Sequence, residues 1–560
     1  MRDFAALLDR LTFEPSRNGK LRLMADYFRH TPDPERGWGL AALTGSLMFR
    51  QAKPALIRTL VLERVDPVLF GMSYDYVGDL SETVALIWPA RPVEDAKPTN
   101  YPPLALSEVV ETLATGGRVN LPPILGRWLD TLDETGRWAL LKLVTGSLRV
   151  GVSARLAKTA VAQLGQEENG ADVDAIEQVW HGLEPPYPSL FAWVEGRGPR
   201  PSTTNPAPFR PPMLAHPLDE ADLAELTPRD FRAEWKWDGI RLQVAAGRDE
   251  SGARVLRLYS RTGEDATNAF PDLAESLSRI EADSFAVDGE LLVVREGAVQ
   301  PFSILQQRLN RKTVTAKHMA NFPAHLRAYD LLALDGEDLR ALPLDERRAR
   351  LEGLVARAGE PRLDASPLVP FADWEELARL RLDPALAGAD AAAVEGLMLK
   401  RRDSPYLAGR PTGPWWKWKR DPFNIDAVLM YAQRGSGKRS SFCSDFTFGV
   451  WKGEGENAEL VPVGKSYFGF TDAELAKLDR YVRHHTRERF GPVRVVEHGR
   501  DKGLVLEIAF EGINRSARHK SGVAMRFPRV ARIRWDKPPA EADRMEALEK
   551  LLRQTEPEPA

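Results

Sequence analysis

The chain has 560 residues, a formal net charge of −3 at pH 7 and a single cysteine, Cys443. At roughly 100–200 residues per domain this length predicts two to four domains, and a composition of 43% apolar and 28% charged residues excludes a largely disordered chain. One cysteine excludes an internal disulfide and a cysteine-rich zinc site, and the net charge argues against a protein that coats nucleic acid through bulk positive charge.

The N-terminal third of the chain has the apolar periodicity of helices. Apolar residues at i, i+3, i+4 and i+7 predict one helix around 4–11 and another around 106–113. The segments LTGSL (43–47) and VTGSL (144–148) each follow a helical pattern, which fits two related helical halves. The chain shows no signal-peptide core and no run of about 18 apolar residues, so we expect a cytoplasmic protein without a membrane partner.

A segment dense in proline, glycine, serine and threonine follows at 184–217. This composition disfavours regular helix and predicts a semi-stiff linker. Beyond the linker, alternating segments rich in valine, leucine and aromatic residues predict strands in a mixed α and β section, at 232–244, 254–260, 284–294 and 325–334.

A third section begins after WWKWKRD (415–421). Its short strand candidates with turn signals predict a small barrel, with strands at 425–433, 445–453, 458–467 and 503–513. One helix is predicted between these strands, at 471–489, and the segment PPAEADRMEALEKLLRQ follows at 538–554. We therefore expect three domains: helical residues 1–205 including the linker, then 206–420 and 421–560.

The segment EWKWDGIR (234–241) places Lys236 shortly before an Asp-Gly pair. Taken alone, a Lys-x-Asp-Gly pattern is short, and a solvent-facing lysine beside a turn explains it. Six further segments follow in order: YSRTGE (259–264), VDGELLV (287–293), RAYDLLALDG (327–336), EGLMLK (395–400), WWKWKRD (415–421) and RFPRVARIRWDK (526–537). The seven segments together resemble the ordered motifs of the covalent nucleotidyltransferases, and within that superfamily those of ATP-dependent DNA ligases.

The helical N-terminal section resembles the DNA-binding domain of the larger ligases. The resemblance therefore implies a bacterial stand-alone ligase with an all-α N-terminal domain, an α+β nucleotidyltransferase core of ATP-grasp-like ligase type, and a C-terminal OB-fold β-barrel. It implies an enzyme that seals 5′-phosphate/3′-hydroxyl nicks in double-stranded DNA through lysyl-AMP and adenylated DNA. ATP and Mg²⁺, or Mn²⁺ in its place, are the implied cofactors. The implied protein is a monomer that acts in DNA repair, recombination or replication and associates with the nucleoid when it is bound to DNA.

Lysine is a useful nucleophile only when its amine is deprotonated. The reference pKa of about 10.4 must then be lowered by burial or by neighbouring cations, for which Arg241, Lys417 and Lys419 are the candidates. Gly239 would allow close approach of the backbone to a nucleotide. The phosphate oxygens of the nucleotide need cations around them while charge moves onto the leaving pyrophosphate.

Side-chain alternation along a strand separates the lysines of these motifs from the tryptophans. Lys417 and Lys419 are predicted to face one side and Trp416 and Trp418 the other, so that two cations reach one phosphate. By the same alternation, the tryptophans at 235 and 237 are predicted to pack in the core opposite Lys236.

The resemblance also implies roles for individual residues of the core. Lys236 carries the AMP, Glu234 recognises adenine and Tyr329 stacks on the purine. The residues implied to contact phosphate, ribose or metal are Arg241, Arg261, Glu290, Lys417 and Lys419, and Glu395 joins Glu290 in holding the divalent metal.

In the C-terminal barrel the resemblance implies that four side chains engage the pyrophosphate end of ATP: Arg526, Arg532, Asp536 and Lys537. It also implies a hinge near 420–422, because the barrel must approach for the first step and withdraw for DNA.

Other nucleotidyltransferases remain as alternatives. Capping guanylyltransferases and RNA ligases also use a Lys-x-Asp-Gly nucleophile, but they lack a helical domain with the segment TGSLRVGVSARLAKTAV (145–161) that resembles the minor-groove clamp of DNA ligases. NAD-dependent ligases use a four-cysteine zinc module, which one cysteine cannot form. A non-catalytic DNA-binding protein on a degenerate ligase scaffold would have lost the lysine or several phosphate-binding cations, and all of them are present.

Overall fold

The computed structural model describes residues 1–47, 49, 51–89, 103–117, 119–146, 148–165, 171–180, 182–201, 205–309, 314–388, 393–434, 443–453, 455–490, 493–516 and 519–555, without the side chains of 75–76, 456 and 554–555. Contacts divide the chain into two compact units. One contains Met1–Ile176, Leu183–Pro201 and Pro422–Thr555, and the other contains Glu177–Gly182 and Ser202–Asp421. Among the described helices, none is both long enough and apolar enough to cross a membrane.

The N-terminal section is helical, as predicted. Its helices are α1 (Arg2–Phe13), α2 (Arg17–His30), α3 (Glu35–Leu43), α4 (Pro54–Leu62), α5 (Pro67–Val77), α6 (Leu80–Ile87), α7 (Leu106–Thr115), α8 (Leu121–Thr131), α9 (Glu134–Thr145), α10 (Ala154–Ala162), α11 (Val173–Trp180) and α12 (Pro188–Val194). The apolar stripes predicted on α1 and α7 are buried, which confirms both helices: Phe4, Leu7, Leu8 and Leu11 on one, and Leu106, Val109, Val110 and Leu113 on the other.

Local chemistry sets the ends of these helices. The Ser16 hydroxyl accepts from the Gly19 amide at 2.9 Å and Asp133 accepts from Gly136 at 2.8 Å, so each satisfies an amide that the first helical turn leaves free. Such a cap stabilises a helix by about 1 kcal/mol. Helix α9 ends at Gly146, whose φ of +70° is a left-handed conformation that glycine adopts without strain.

The expectation of a linker without helix at 184–217 is wrong in part. Helix α12 begins there with Pro188 at its first position. Proline is tolerated at this position because the backbone N–H that it lacks would have no hydrogen-bond partner within the helix. Phe191 of α12 is fully buried, lies 5.9 Å from the Phe28 ring, and is covered by the Arg36 guanidinium at 4.2 Å. Tertiary burial therefore outweighs the local composition.

The unit that contains Ser202–Asp421 holds two sheets and their covering helices. Its strands are β1 (His216–Pro217), β2 (Phe231–Trp237), β3 (Ile240–Arg248), β4 (Arg254–Ser260), β5 (Phe285–Arg295), β6 (Ala298–Val299), β7 (Ala324–Leu334), β8 (Glu337–Asp338), β9 (Leu363–Ala365), β10 (Leu368–Val369), β11 (Val394–Arg401) and β12 (Trp415–Lys419). Its helices are α13 (Pro271–Leu277), α14 (Phe302–Arg308), α15 (Ala316–Asn321), α16 (Leu344–Ala358) and α17 (Trp374–Leu382). The predicted strands of this section are confirmed.

The two sheets face each other. One has the order β1-β12-β11-β2-β10, and the other has the order β4-β3-β5-β7-β8, with β6 on β5 and β9 on β7. A shared apolar cluster joins Trp415 of β12 with Ala245 of β3 and Leu332 of β7. Helices α13 and α16 cover the outer face of the larger sheet, and α17 covers that of the smaller one. Each sheet thus buries both faces, which explains the nearly continuous apolar runs of β3, β5 and β7.

The C-terminal section is built on strands with two helices. Its elements are β13 (Phe423–Arg434), β14 (Cys443–Lys452), β15 (Glu459–Ser466), α18 (Asp472–His484), β16 (Thr486–Phe490), β17 (Val493–Val496), β18 (Val505–Phe510), β19 (Gly512–Arg515), β20 (Val523–Arg526), β21 (Arg529–Arg534) and α19 (Met545–Thr555). Strand β13 pairs with β14, β17 and β18, β18 pairs with β21, and β19 with β20.

The helix predicted at 471–489 ends earlier. Helix α18 stops at His484, and Thr486–Phe490 forms β16, in which Thr486 pairs with Val496. Leu478 of α18 and Leu548 of α19 pack into the same apolar cluster as Phe446 of β14. The helices therefore close the core of this section.

Candidate active site

A pocket of about 460 Å³ lies between the two sheets of the core unit. Strands β2, β11 and β12 line it from the smaller sheet, and β3, β5 and β7 from the larger one. Eight of the predicted site residues line this pocket: Glu234, Lys236, Arg241, Arg261, Glu290, Tyr329, Lys417 and Lys419. Strand pairing within the smaller sheet brings Glu234 and Lys419 to this pocket from 185 positions apart in the sequence, and the larger sheet adds Glu290 and Tyr329 from the facing side.

Alternation along β2 and β12 sorts the side chains as predicted. Trp235 and Trp237 are buried in the cluster beneath α17, and Trp416 and Trp418 pack against the same cluster. The lysines of both strands lie on the pocket side. The bulky indoles therefore fix the strands that present the cations.

Lys236 is held by a carboxylate. Its Nζ donates to Oε2 of Glu395 at 2.6 Å, and Lys419 Nζ lies 3.7 Å from the same oxygen. Burial favours the neutral amine of Lys236, but the charges of Glu395 and Glu290 outweigh burial, so the pKa of Lys236 is raised. Burial likewise disfavours ionised Glu395, but the Lys236 ammonium and Lys419 lower the pKa of Glu395 to about 2.

This direction differs from the expectation that neighbouring cations lower the pKa of Lys236. Arg241, a predicted neighbour, is instead occupied by a buried network: its guanidinium donates to Asp288, to the Met213 carbonyl at 2.6 Å and to the Tyr406 hydroxyl at 3.0 Å. With its pKa raised above the ordinary value, Lys236 is an ammonium at neutral pH.

Gly239, predicted to allow close approach to a nucleotide, lies close to the neighbouring strand β5 of the chain itself. A Cβ at this position would lie 2.5 Å from the Leu291 carbonyl oxygen and 2.8 Å from Glu290 Cγ. Contacts this short never occur, so glycine is required for the turn after β2 to pack on β5.

Glu290 is the second carboxylate beside Lys236. Burial raises the pKa of Glu290 to about 8, although Lys236 and Arg241 oppose this. Within the described part of the chain its carboxylate has neither a hydrogen bond nor an ion pair. The described residues contain no group of three or more His, Cys, Asp and Glu side chains suited to a metal. Magnesium is usually bound by one or two carboxylates together with substrate phosphates and water, so Glu290 and Glu395 fit that ion.

The opposite end of the pocket is aromatic and carries a buried ion pair. Lys400 Nζ lies 2.9 Å from Glu234 Oε2, with both side chains at most 3% exposed, and 4.6 Å from the ring centroids of both Tyr329 and Trp415. Arg348 lies 3.5 Å from the other Glu234 oxygen. An acceptor and a donor are thus fixed beside an aromatic ring, which is the arrangement needed to bind a flat heterocycle.

Cations crowd the rest of the pocket. Burial lowers the pKa of Lys417, and Lys419, Arg410, Lys236 and Arg261 lower it further. Five positive side chains at one wall repel one another, and polyanionic phosphate relieves that repulsion.

The four predicted residues of the C-terminal section lie in the other compact unit. Arg526 ends β20, Arg532 lies on β21, and Asp536 and Lys537 occupy the turn after β21. Arg534 forms an ion pair with Asp536. Its hydrogen bond to the carboxylate is the main reason that the pKa of Asp536 is lowered to about 2.

Comparisons with known proteins agree with this chemistry. Residues 212–419 match the family described as ATP dependent DNA ligase domain, and residues 439–537 match ATP dependent DNA ligase C terminal region. A probable DNA ligase of Koribacter versatilis is 33% identical over 564 residues, which cover 95% of this chain and 93% of that protein. The chain belongs to the ATP-dependent DNA ligases. It is accordingly an enzyme of EC 6.5.1.1 type in the nucleotidyltransferase superfamily.

Further relatives match the ligase over nearly its whole length. DNA ligase 1 of Korarchaeum cryptofilum is 29% identical over 98% of both chains. The solved structure named Pmar-Lig_Pre aligns with 95% of this chain and 99% of its own at a TM-score of 0.58 and 14% identity, a likeness in fold alone.

Two charged residues that line the ligase pocket were not among the predicted site residues. Lys400 is the last residue of the segment EGLMLK (395–400), and Arg410 directly follows the segment SPYLAG (404–409). The alternation of β11 could have indicated Lys400, since it lies two residues from Met398 on the same face. Arg410 lies in a loop, where side chains follow no regular alternation, so the sequence gives no signal that would place it at the pocket.

Proposed function

We propose that this ligase seals nicks with a 5′-phosphate and a 3′-hydroxyl in duplex DNA, through lysyl-AMP and adenylated DNA, and that it acts in DNA repair. The observation that carries the proposal is the position of Lys236, which lies in a pocket with a cationic wall and an aromatic end. The cationic wall suits phosphates and the aromatic end suits the base.

In the first step a bond forms between Lys236 Nζ and the α-phosphorus of ATP, and the bond from that phosphorus to the pyrophosphate oxygen breaks. Pyrophosphate leaves with the electron pair. The ammonium of Lys236 must first lose a proton, and this loss becomes easier when the charge of Glu395 is withdrawn from Nζ. The cations Lys417, Lys419, Arg261 and Arg410 balance the phosphate charge.

The later steps use the same lysine. An oxygen of the 5′-phosphate attacks the AMP phosphorus and Lys236 leaves as the amine. The 3′-hydroxyl then attacks the activated 5′-phosphate, the phosphodiester forms and AMP departs.

Glu290 and Glu395 would hold Mg²⁺, or Mn²⁺ in its place. When bound, the ion supplies positive charge to the phosphate oxygens. Glu395 is also the principal charge that raises the pKa of Lys236. Binding of Glu395 to the ion would therefore favour the neutral amine of Lys236.

At the aromatic end Glu234 would accept from the adenine amino group and Tyr329 would stack on the ring. The Lys400 ammonium lies beside Glu234 and offers a donor to a ring nitrogen. Guanine presents a carbonyl where adenine has its amino group, so this order of donor and acceptor favours ATP.

The helical section would bind DNA through the two loops that contain the repeated TGSL segment. Gly45 and Gly146 follow α3 and α9 with φ of +73° and +70°, and both loops line one pocket of about 310 Å³. This likeness supports the predicted relation of the two helical halves. Backbone amides and basic side chains in such loops contact phosphates without reading sequence.

The protein is proposed to be a monomer of three domains, 1–205, 206–420 and 421–560, the last an OB-fold barrel. The use of β13 by three neighbouring strands supports a barrel, and the boundary between compact units at Asp421 supports the second division. Arg526, Arg532, Asp536 and Lys537 would engage the pyrophosphate end of ATP.

Incubation with α-labelled ATP tests the proposal. The wild-type protein should acquire label and then seal a nicked duplex, whereas Lys236→Ala should do neither. Lys477→Ala, which changes an exposed lysine on α18, is the control and should behave as wild type. Undiminished labelling of Lys236→Ala would refute the assignment of the nucleophile.

Comparison of ATP, GTP and NAD⁺ as donors, on nicked DNA and nicked RNA duplexes, tests the substrate. ATP and DNA should be preferred. Preference for GTP or for RNA would favour a capping enzyme or an RNA ligase instead.

A further inference from the structure

One carboxylate in the C-terminal section anchors two cations of the last motif. Asp426 Oδ2 accepts from Lys537 Nζ at 2.7 Å and from Arg534 Nη1 at 3.3 Å. Arg534 in turn donates to both oxygens of Asp536, at 3.1 and 3.0 Å. Asp426 therefore ties down both ends of the turn that carries Asp536 and Lys537.

Asp426 is itself firmly placed. Its backbone amide donates to Asp543 Oδ2 at 2.8 Å, and the Asp543 amide donates to the Asp426 carbonyl at 2.8 Å. Its neighbours on β13, Ile425 and Ala427, are buried in the core of the section. The anchor is thus part of a rigid strand, whereas the turn that it holds is on the surface.

The described ion pairs of this carboxylate all involve one of its two oxygens, Oδ2. Asp426 Oδ1 is buried and accepts no hydrogen bond from any residue that the structure describes. Both cations converge on Oδ2 instead. A carboxylate retained only for stability would satisfy both oxygens, because an unmatched buried acceptor costs stability.

We propose that Asp426 is a positioning residue for the first step of ligation. It holds the Lys537 ammonium, and through Arg534 the Asp536 carboxylate, in the geometry that receives the pyrophosphate end of ATP. An ammonium has three donors, so the bond to Asp426 leaves two for phosphate. This inference rests on the proposed role of the last motif.

The reaction steps differ in their need for this geometry. Pyrophosphate is present only when the lysine takes AMP from ATP, and it is gone before the nick is sealed. Loss of Asp426 should therefore slow the first step and spare the last.

The test compares Asp426→Asn with wild type in two single-turnover reactions. Transfer of AMP from α-labelled ATP to Lys236 should slow by about tenfold or more, as expected for a misplaced binding group. Closure of a nick that already carries AMP on its 5′-phosphate should stay within about twofold of wild type. Asp501→Asn changes an exposed aspartate of the same section and should leave both rates unchanged.

Two results would overturn the inference. One is transfer of AMP to Asp426→Asn at the wild-type rate or faster. The other is an equal loss in both reactions together with a lower melting temperature, which would make Asp426 a structural residue. If Asp426→Asn does not fold, Asp426→Glu keeps the charge but displaces it, and it should show the same selective loss.

Failure of the proposed function has a separate signature. A wild-type protein that acquires no label on Lys236 would refute that function. A wild type that is labelled normally, beside an Asp426→Asn protein labelled equally fast, would refute the role of Asp426 alone.

Discussion

Lys236 and Glu395 form an ion pair in which Nζ and Oε2 are 2.6 Å apart, with 24% and 18% of their side chains exposed. The pair helps to keep the nucleophile protonated: burial lowers the pKa of Lys236, but Glu395 and Glu290 together raise it by more. The resting protein therefore holds an unreactive ammonium, and activation has to weaken this pair.

Replacement of Glu395 by glutamine should lower the pKa of Lys236 in the protein without metal or nucleotide. The amide removes the charge that raises this pKa most, while burial continues to lower it. The rate at which Lys236 reacts with an amine-modifying reagent, followed by peptide mass spectrometry across pH, measures the shift. Glu375→Gln, an exposed change on α17, is the control, and an unchanged Lys236 profile in Glu395→Gln would contradict the prediction.

Glu290 should make the protein less stable as the pH rises. Its pKa is raised to about 8 from 4.5, so between these values the unfolded chain has released a proton that the folded chain retains. Stability then falls with increasing pH, and it stops falling above the folded pKa. Glu290→Gln removes this dependence. The melting temperature of the variant relative to wild type should increase from about pH 5 to pH 8 and then level off. A constant difference would show that Glu290 is ionised throughout.

The position of Lys236 on a pocket could be predicted because strand alternation is a local rule. Trp235 and Trp237 of β2, like Trp416 and Trp418 of β12, need burial on one face, and the lysines between them must then face the other way. The direction of the pKa shift could not be predicted. It depends on a carboxylate 159 residues away in the sequence, and only the pairing of β2 with β11 places the two together.

Other differences have the same origin in tertiary contacts. The helix at 188–194 lies in a proline-rich segment, and burial of Phe191 stabilises it. Arg241 faces the pocket as expected, but its partners Asp288 and Tyr406 come from distant strands and loops. Composition and periodicity predict which residues form elements, but not which charges meet across two sheets.

The buried ion pair of Glu234 and Lys400 should show coupled effects on the free energy of unfolding, because each charge depends on the other for its partner. With 3% and 2% of the side chains exposed, Glu234→Gln or Lys400→Met leaves a buried charge with a weaker or no partner. Each should lower the free energy of unfolding by about 3–5 kcal/mol, and the double variant by less than the sum. Denaturant unfolding of the four proteins measures the coupling. Additive losses would mean that the pair does not act as a unit.

Arg149 should contribute one phosphate contact to DNA binding. It is exposed in the loop after α9, where its φ of +49° is unusual for a residue other than glycine, and Lys20 holds the loop by donating to the Val150 carbonyl. Strained backbone of this kind is often found at binding sites, because the surrounding contacts must maintain it. Arg149→Ala should weaken binding to nicked duplex at low salt.

The salt dependence distinguishes a phosphate contact from a structural role. Each phosphate that a protein neutralises adds about 0.9 to the slope of log affinity against log salt concentration, so Arg149→Ala should reduce that slope by about one. Arg10→Ala, an exposed arginine on α1, should leave the slope unchanged. Weaker binding with the wild-type slope would mean that Arg149 shapes the loop without meeting a phosphate. The DNA contact would then have to come from the backbone amides of the two loops.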